Sequence, residues 1–283
     1  MSFRNWIFRM LAALPLVLPR SVRQVILKSG FVSLARRLYL KISVDNTTQI
    51  VSLRPPLDGY KMRINFLMQK ALIYGTFEPD VCDLILRRLK PGWTCLDVGA
   101  NIGYLTLLMA RQVGDRGYVV AFEPLPSNYR VLRQNVTANH HDANVRSECL
   151  ALSDRSGIHE FLFCSEVYTA GGTLVSPAPS GVNPEIARLQ VYTRRGDDYI
   201  VDHTIFSSID FIKIDVEGAE GLVLEGLRST LRRHHPLVLM EVHTCEGSTA
   251  DQALKILNEQ GYSLTKIDDG HILAEFFCEA RET

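Results

Sequence analysis

Asp97, Gly99, Gly103 and Glu123 are spaced as a ligand-binding turn would need them. Residues 94–104 read Thr-Cys-Leu-Asp-Val-Gly-Ala-Asn-Ile-Gly-Tyr, and residues 118–124 read Tyr-Val-Val-Ala-Phe-Glu-Pro. Apolar runs bracket an apolar helical segment, so the chain reads as strand, glycine turn, helix and a second strand ending in an acid. Glycines at 99 and 103 let backbone approach a ligand where a Cβ would collide. The helix that follows aims its free N–H groups at the same spot. Glu123, twenty residues after Gly103, ends the next strand, where a carboxylate can accept both hydroxyls of a ribose.

The dinucleotide form of such a turn is G-x-G-x-x-G, whose middle glycine lets backbone touch a pyrophosphate. Asn101 stands at that middle position. Asp97, two residues before the first glycine, would repel a pyrophosphate but suits a ligand carrying an ammonium group. S-adenosylmethionine has an ammonium group and a ribose and lacks phosphate. It is therefore the expected cofactor, held by Asp97, Gly99, Ala100, Asn101, Gly103 and Glu123. A nicotinamide-dependent oxidoreductase is the second reading, disfavoured by Asn101 and Asp97. A non-catalytic adapter with a vestigial cofactor fold is the third, and the intact acids and glycines argue against decay.

The stretch Leu96-Asp97-Val98-Gly99-Ala100-Asn101-Ile102-Gly103-Tyr104-Leu105-Thr106 resembles the opening motif of FkbM-type methyltransferases. Ala121-Phe122-Glu123-Pro124 is similar to their second motif, and Ile212-Lys213-Ile214-Asp215-Val216-Glu217-Gly218-Ala219-Glu220 to their most distinctive one. Tyr74-Gly75-Thr76-Phe77-Glu78-Pro79 and Ala151-Leu152-Ser153-Asp154 also match, in the right order. The likeness covers about residues 60 to 245. It implies a class I methyltransferase fold, S-adenosylmethionine as methyl donor, and a hydroxyl on a sugar, lipid-linked or polyketide-like acceptor. It also implies that Asp215 lies near the reactive centre and that Glu78 faces the cofactor. One departure is visible: the family's Thr-x-Leu-Asp step is here Thr193-Arg194-Arg195-Gly196-Asp197-Asp198.

Several of these residues have a second reading. Glu217 can bond the cofactor's methionine part or the substrate, or complement the dipole of the helix it precedes. Glu78 likewise starts a helix. Asp154 follows the third strand and can accept the adenine amine, or form a turn in Ser-Asp-Arg-Ser-Gly. His243, just past Glu241, is the histidine best placed to take a proton from an acceptor hydroxyl, or it is an ordinary hydrogen-bonded side chain. Asp215, Glu217 and His243 are thus the catalytic candidates. Asp215 and Glu241 could hold Mg²⁺ at adjacent strand ends, but spacing identifies no third ligand, so no metal set is assigned.

The elements that position these groups follow from periodicity. Gln49–Leu53 and Tyr60–Phe66 read as a hairpin around Pro55-Pro56-Leu57-Asp58-Gly59, and Pro79–Leu89 as a helix. Strands at Thr94–Val98, Tyr118–Phe122 and Asn144–Leu150 then alternate with helices at Tyr104–Arg111 and Ser127–Asn139, the latter capped by Ser127. His159–Phe163 and Leu189–Thr193 look like antiparallel additions around a loop at Ala170–Pro184, read as a substrate-side flap. Strands Phe211–Ile214 and Leu237–Val242 and helices Glu220–His234 and Ala250–Gln260 resume the rhythm, with strands Ser263–Ile267 and Ile272–Phe276 last. This alternation predicts an α/β fold: a Rossmann-like, mostly parallel sheet with helices on both faces, plus an N-terminal helical and hairpin extension. The domain division is expected at 1–59 and 60–283.

Charge is balanced overall, with 31 basic and 31 acidic residues in a chain of 283. Residues 1–44 nevertheless hold eight Lys/Arg and no acid, which leaves net −8 elsewhere and argues against a nucleic-acid partner. That basic segment, with Ile7, Met10, Leu11, Leu14 and Leu18 near helical spacing, suits peripheral contact with an anionic membrane or docking on the domain. Its apolar run is too short to span a bilayer. Six cysteines without C-x-x-C spacing read as free thiols in a reducing, cytoplasmic setting.

Overall fold

The computed structural model describes residues 48–65, 69–164, 172–174, 186–203, 207–244, 247–268 and 270–276. The basic segment 1–44 and most of the loop 170–184 lie outside them. No helix among the described residues is long and apolar enough to cross a membrane.

Strands β1 (Thr48–Ser52) and β2 (Lys61–Asn65) pair antiparallel, then α1 (Lys70–Tyr74) and α2 (Pro79–Arg88) lead into the sheet. There follow β3 (Thr94–Val98), α3 (Tyr104–Val113), β4 (Tyr118–Phe122), α4 (Pro126–Ala138) and β5 (Val145–Glu148). The middle of the chain forms β6 (Ala151–Ser153), β7 (Gly157–Cys164), β8 (Gly172–Thr173), β9 (Ile186–Arg195) and α5 (Gly196–Asp202). The last part is β10 (Phe211–Ile214), α6 (Glu220–Gly226), α7 (Arg228–His234), β11 (Leu237–Glu241), α8 (Ala250–Glu259), β12 (Tyr262–Lys266) and β13 (His271–Phe276).

Seven strands form one sheet in the order β12-β13-β11-β10-β3-β4-β5, with β13 alone running against the others. Its central strands are apolar on both faces because both are covered. Cys95, Val119, Ala121 and Phe211 pack with α2, α3 and α4, while Leu96, Val98, Val120 and Ile212 pack with α6, α7 and α8. The expected α/β layering is therefore present. The antiparallel additions also form: β7 pairs with β9 in a second sheet of order β6-β9-β7-β8.

Three sequence expectations shift. Ser127 does not cap α4, because Pro126 takes the first helical turn, where its missing N–H costs nothing, and Leu125 becomes the N-cap. The single helix expected over Glu220–His234 breaks at Leu227 into α6 and α7. Gly226 lies so close to Ser153 that an added Cβ would fall 2.0 Å from its carbonyl oxygen. The departing stretch at 193–198 continues into α5, and buried Asp197 accepts the Ser229 and Thr230 N–H groups at the start of α7. Finally, the compact unit begins at Thr48 rather than at residue 60. Leu53 and Leu57 are buried in the core, and Asn135 and Asn139 of α4 hydrogen-bond β2 backbone, so the hairpin belongs to the main body.

Candidate active site

Strand order reverses between β3 and β10, so the helices that follow them leave on opposite faces and a crevice opens beyond their carboxyl ends. A cavity of about 370 Å³ occupies it. Gly99, Glu123, Asp215 and Glu241 line this cavity from the ends of β3, β4, β10 and β11.

The turn after β3 is tight because two backbones meet there. Gly99 has φ +82°, and a Cβ on it would sit 1.8 Å from the carbonyl oxygen of Asp215. Asn101 is also left-handed, at φ +50°. Its N–H donates to Glu123 Oε2 at 2.8 Å, and the Leu125 N–H donates to Oε1 at 2.9 Å. Burial pushes the Glu123 carboxyl up to about 7, although those two N–H groups pull it down. Gly99 and Asn101 line the main cavity, whereas Ala100 lines an adjoining recess with Asn101, Lys213 and Asp215. Gly103 lines neither; it provides the left-handed step, φ +90°, that starts α3. Phe122, Asn128, Leu152, Phe161 and Leu174 complete an apolar wall near Glu123.

The opposite end of the cavity is acidic. Glu78, Asp215, Glu217 and Glu241 all line it, with Phe77 and Val216 between them. Glu78 and Glu217 hold left-handed backbone, φ +38° and +54°, a strain that for non-glycine residues concentrates at functional sites. Burial, then the nearby Asp215 charge, raises the carboxyls of both Glu78 and Glu217. The same causes push Glu241 up to about 7.

Two histidines stand beside these acids. His243 meets buried Glu220 through Nδ1 at 2.7 Å, and its Nε2 lies 3.5 Å from both Glu217 and Glu241. Burial works against its charge, but the Glu220 bond and the surrounding carboxylates raise it to about 9. His271 bonds Asp268 through Nδ1 at 2.9 Å and presents Nε2 to Glu241 at 3.6 Å and to Glu78 at 3.8 Å.

Asp97 is not where its spacing suggested. It is fully buried and lines neither the cavity nor the recess. Thr106 Oγ1 donates to its Oδ2 at 2.5 Å, and Lys213 Nζ lies 3.4 Å from its Oδ1. Lys213 also donates to the Gly99 carbonyl at 2.9 Å and meets Asp215 at 3.4 Å. Burial opposes the Lys213 charge, but Asp215 and Asp97 more than offset it, so the ammonium holds its proton more tightly than an ordinary lysine. Asp97 thus supports the turn through Lys213 and Thr106. Asp154 is likewise outside the cavity wall; Ser153 Oγ donates to it at 3.0 Å, and Ala151 and Leu152 take the wall position.

Sequence reasoning did not reach Lys213 or His271. A lysine inside the apolar strand Phe-Ile-Lys-Ile was the available signal for the first. The second had none, because the site acids it faces, Glu241 and Glu78, lie far away along the chain. Cys82, Cys95 and Cys149 are free thiols, and burial pushes Cys82 up to about 12, which leaves it inert as a nucleophile.

A doubly wound sheet of this order, with one reversed strand and a ribose-spaced acid in its crevice, defines a class I methyltransferase fold. Residues 97–264 match the Methyltransferase FkbM domain. The chain belongs to the FkbM methyltransferase family and is an S-adenosylmethionine-dependent methyltransferase. It is 28% identical over 204 residues to the 31-O-demethyl-FK506 methyltransferase FkbM of Streptomyces tacrolimicus, covering 64% of this chain and 76% of that one. It is 28% identical over 193 residues to the hexuronic acid methyltransferase AglP of Haloferax volcanii, covering 68% and 73%. A crystal structure of a methyltransferase FkbM from Methylobacillus flagellatus aligns at TM-score 0.46 and 18% identity, covering 68% of this chain and 45% of that one. Family membership sets aside the nicotinamide and adapter readings.

Proposed function

We propose that the cavity binds S-adenosylmethionine across its two ends and that the enzyme methylates a hydroxyl on a small sugar-like or polyketide-like acceptor. The observation that carries the reading is Glu123: both of its oxygens are fixed by backbone N–H groups at the cavity wall, and lone pairs remain for the two ribose hydroxyls. Adenine then lies against Phe122, Leu152, Phe161 and Leu174, near the amide of Asn128. The sulfonium and amino groups lie toward Glu78 and Asp215, whose negative charge complements them.

Transfer is a displacement in which the acceptor oxygen forms a bond to the methyl carbon as the carbon–sulfur bond breaks. Alignment supplies most of the acceleration. The hydroxyl proton must leave, and Glu217 and Glu241 are the carboxylates gathered where it would go, with the protonated His243 beside them. A carboxyl raised to about 7, as at Glu241, is well matched to accept it near neutral pH. An oxygen acceptor is supported by the name of one relative, a 31-O-demethyl-FK506 methyltransferase, and a sugar-like acceptor by that of another, a hexuronic acid methyltransferase.

Calorimetry with S-adenosylhomocysteine tests the cofactor half. Wild type is expected to bind, and Glu123→Ala to bind at least about tenfold more weakly, since a hydrogen bond to a charged group contributes roughly 1.5–3 kcal/mol. Undiminished binding by Glu123→Ala would reject the pose. Incubation with radiolabelled methyl donor and hydroxyl-bearing acceptors, including hexuronides, tests the other half. Label recovered only on nitrogen would reject the hydroxyl assignment.

A further inference from the structure

The acidic end of the cavity holds more negative charge than a sulfonium cofactor calls for. Glu78, Asp215, Glu217 and Glu241 line it, and Glu220 stands directly behind His243. Lys213 is shared among Asp215, Asp97 and the Gly99 carbonyl. Glu220 is wholly buried; its Oε1 takes the Gly218 N–H at 2.9 Å and His243 Nδ1 at 2.7 Å, while its Oε2 has no hydrogen-bond partner. That carboxylate holds the imidazole of His243 by its Nδ1 side and so fixes the ring.

The arrangement of His243 says which kind. Its Nδ1 is anchored by Glu220, so the ring is fixed and Nε2 faces Glu217 and Glu241 at 3.5 Å. One donor atom each from Asp215, Glu241 and His243 lie within 4.8 Å of one another, the spread of ligands around a single ion. A histidine whose far nitrogen is held by a carboxylate, and whose near nitrogen joins carboxylates, is the orienting pattern of metal-bound imidazoles. The geometry points to a divalent-cation site formed by Asp215, Glu241 and His243, with Glu217 beside it and Glu220 as the positioning residue.

Two carboxylates and one imidazole suit a hard-to-borderline ion such as Mn²⁺ or Mg²⁺, and leave coordination positions open toward the cavity. An acceptor bearing two neighbouring oxygens could occupy those positions, its hydroxyl both aligned and made more acidic, and with Glu241 on the ion the proton passes to Glu217. A second trio, Glu78, Glu241 and His271, shares Glu241. The carboxylate behind its histidine, Asp268, is 32% exposed where Glu220 is buried. The site therefore centres on His243. This inference rests on the acceptor end assigned under the proposed function.

Its test is a titration of the full chain, stripped with EDTA, with Mn²⁺ followed by calorimetry and electron paramagnetic resonance. One ion per chain is expected, with spin-echo modulation from an imidazole nitrogen that vanishes in His243→Gln. Glu241→Gln and His243→Gln are expected to weaken Mn²⁺ at least about tenfold, and Glu220→Gln by roughly 10–100-fold, through loss of ring orientation. Glu78→Gln and His271→Gln are expected to stay within about twofold of wild type. Absence of binding, absence of imidazole coupling, or loss confined to Glu78→Gln and His271→Gln would overturn the site. S-adenosylhomocysteine binding by the stripped protein is scored separately: its loss in wild type counts against the cofactor pose and leaves the cation result standing.

Discussion

At the scale of single residues, the two acids that frame the glycine turn have opposite fates. Glu123 faces the cavity and is held there at a cost. Its carboxyl sits at about 7 in the folded chain against an ordinary 4.5, so ionising it is harder when folded. Stability contributed by this group is complete below pH 4.5 and is lost as pH rises through about 7. The ligand-free protein is accordingly expected to lose stability between pH 5 and 8, by up to about 3 kcal/mol from this one group. Glu123→Ala is expected to flatten that part of the slope in denaturant titrations; an unchanged slope would mean the group is not perturbed. Asp97 instead balances the buried Lys213. Removing one partner of a buried ion pair costs about 3–5 kcal/mol. Asp97→Ala should therefore show its main effect in urea unfolding. Wild-type stability with selectively lost cofactor affinity would restore a ligand-binding role to Asp97.

The site at the scale of elements is a set of strand ends brought close by backbone. Gly99 and Asp215 lie on neighbouring strands, β3 and β10, and touch where both strands finish. Gly99→Ala places a methyl 1.8 Å from a backbone oxygen at φ +82°. It is expected to lower the melting temperature and to weaken S-adenosylhomocysteine at least about tenfold, because the turn cannot move without moving Asp215. Helix α3 is buried nearly all round, including Leu107, Leu108 and Met109. Leu108→Ala should cost about 2–5 kcal/mol while leaving cofactor affinity unchanged well below the melting point. A fall in affinity without a fall in stability would show that α3 communicates with the site in some way other than packing.

For the molecule as a whole, the sheet separates two cores, and the hairpin β1–β2 completes one of them. Leu53, Leu57, Met62 and Ile64 are all buried against the α2–α3–α4 layer. A chain beginning at Tyr60 keeps every candidate site residue but loses Leu53 and Leu57. It is expected to be less stable by at least about 4 kcal/mol, or roughly 10 °C in melting temperature, than one beginning at Thr48. Equal melting of the two would return the domain boundary to residue 60.

Periodicity and turn chemistry were enough to read the α/β layering, because a strand buried on both faces and a helix buried on one leave different apolar spacings in the sequence. The acids at strand ends were legible because in a doubly wound sheet the residues that end or follow the parallel strands gather at the crevice. Which way Asp97 pointed was not legible, since strand alternation turns a side chain inward or outward according to register, and its partner Lys213 lies 116 residues away. Nor was the place of Glu220 behind His243. Glu217, Glu220, Glu241 and His243 come from two strand ends and a helix start, and the parallel pairing of β10 with β11 brings them together. Local sequence determines what each segment can become. Contacts between distant segments arise only when the whole sheet closes, and the chemistry of this site depends on those contacts.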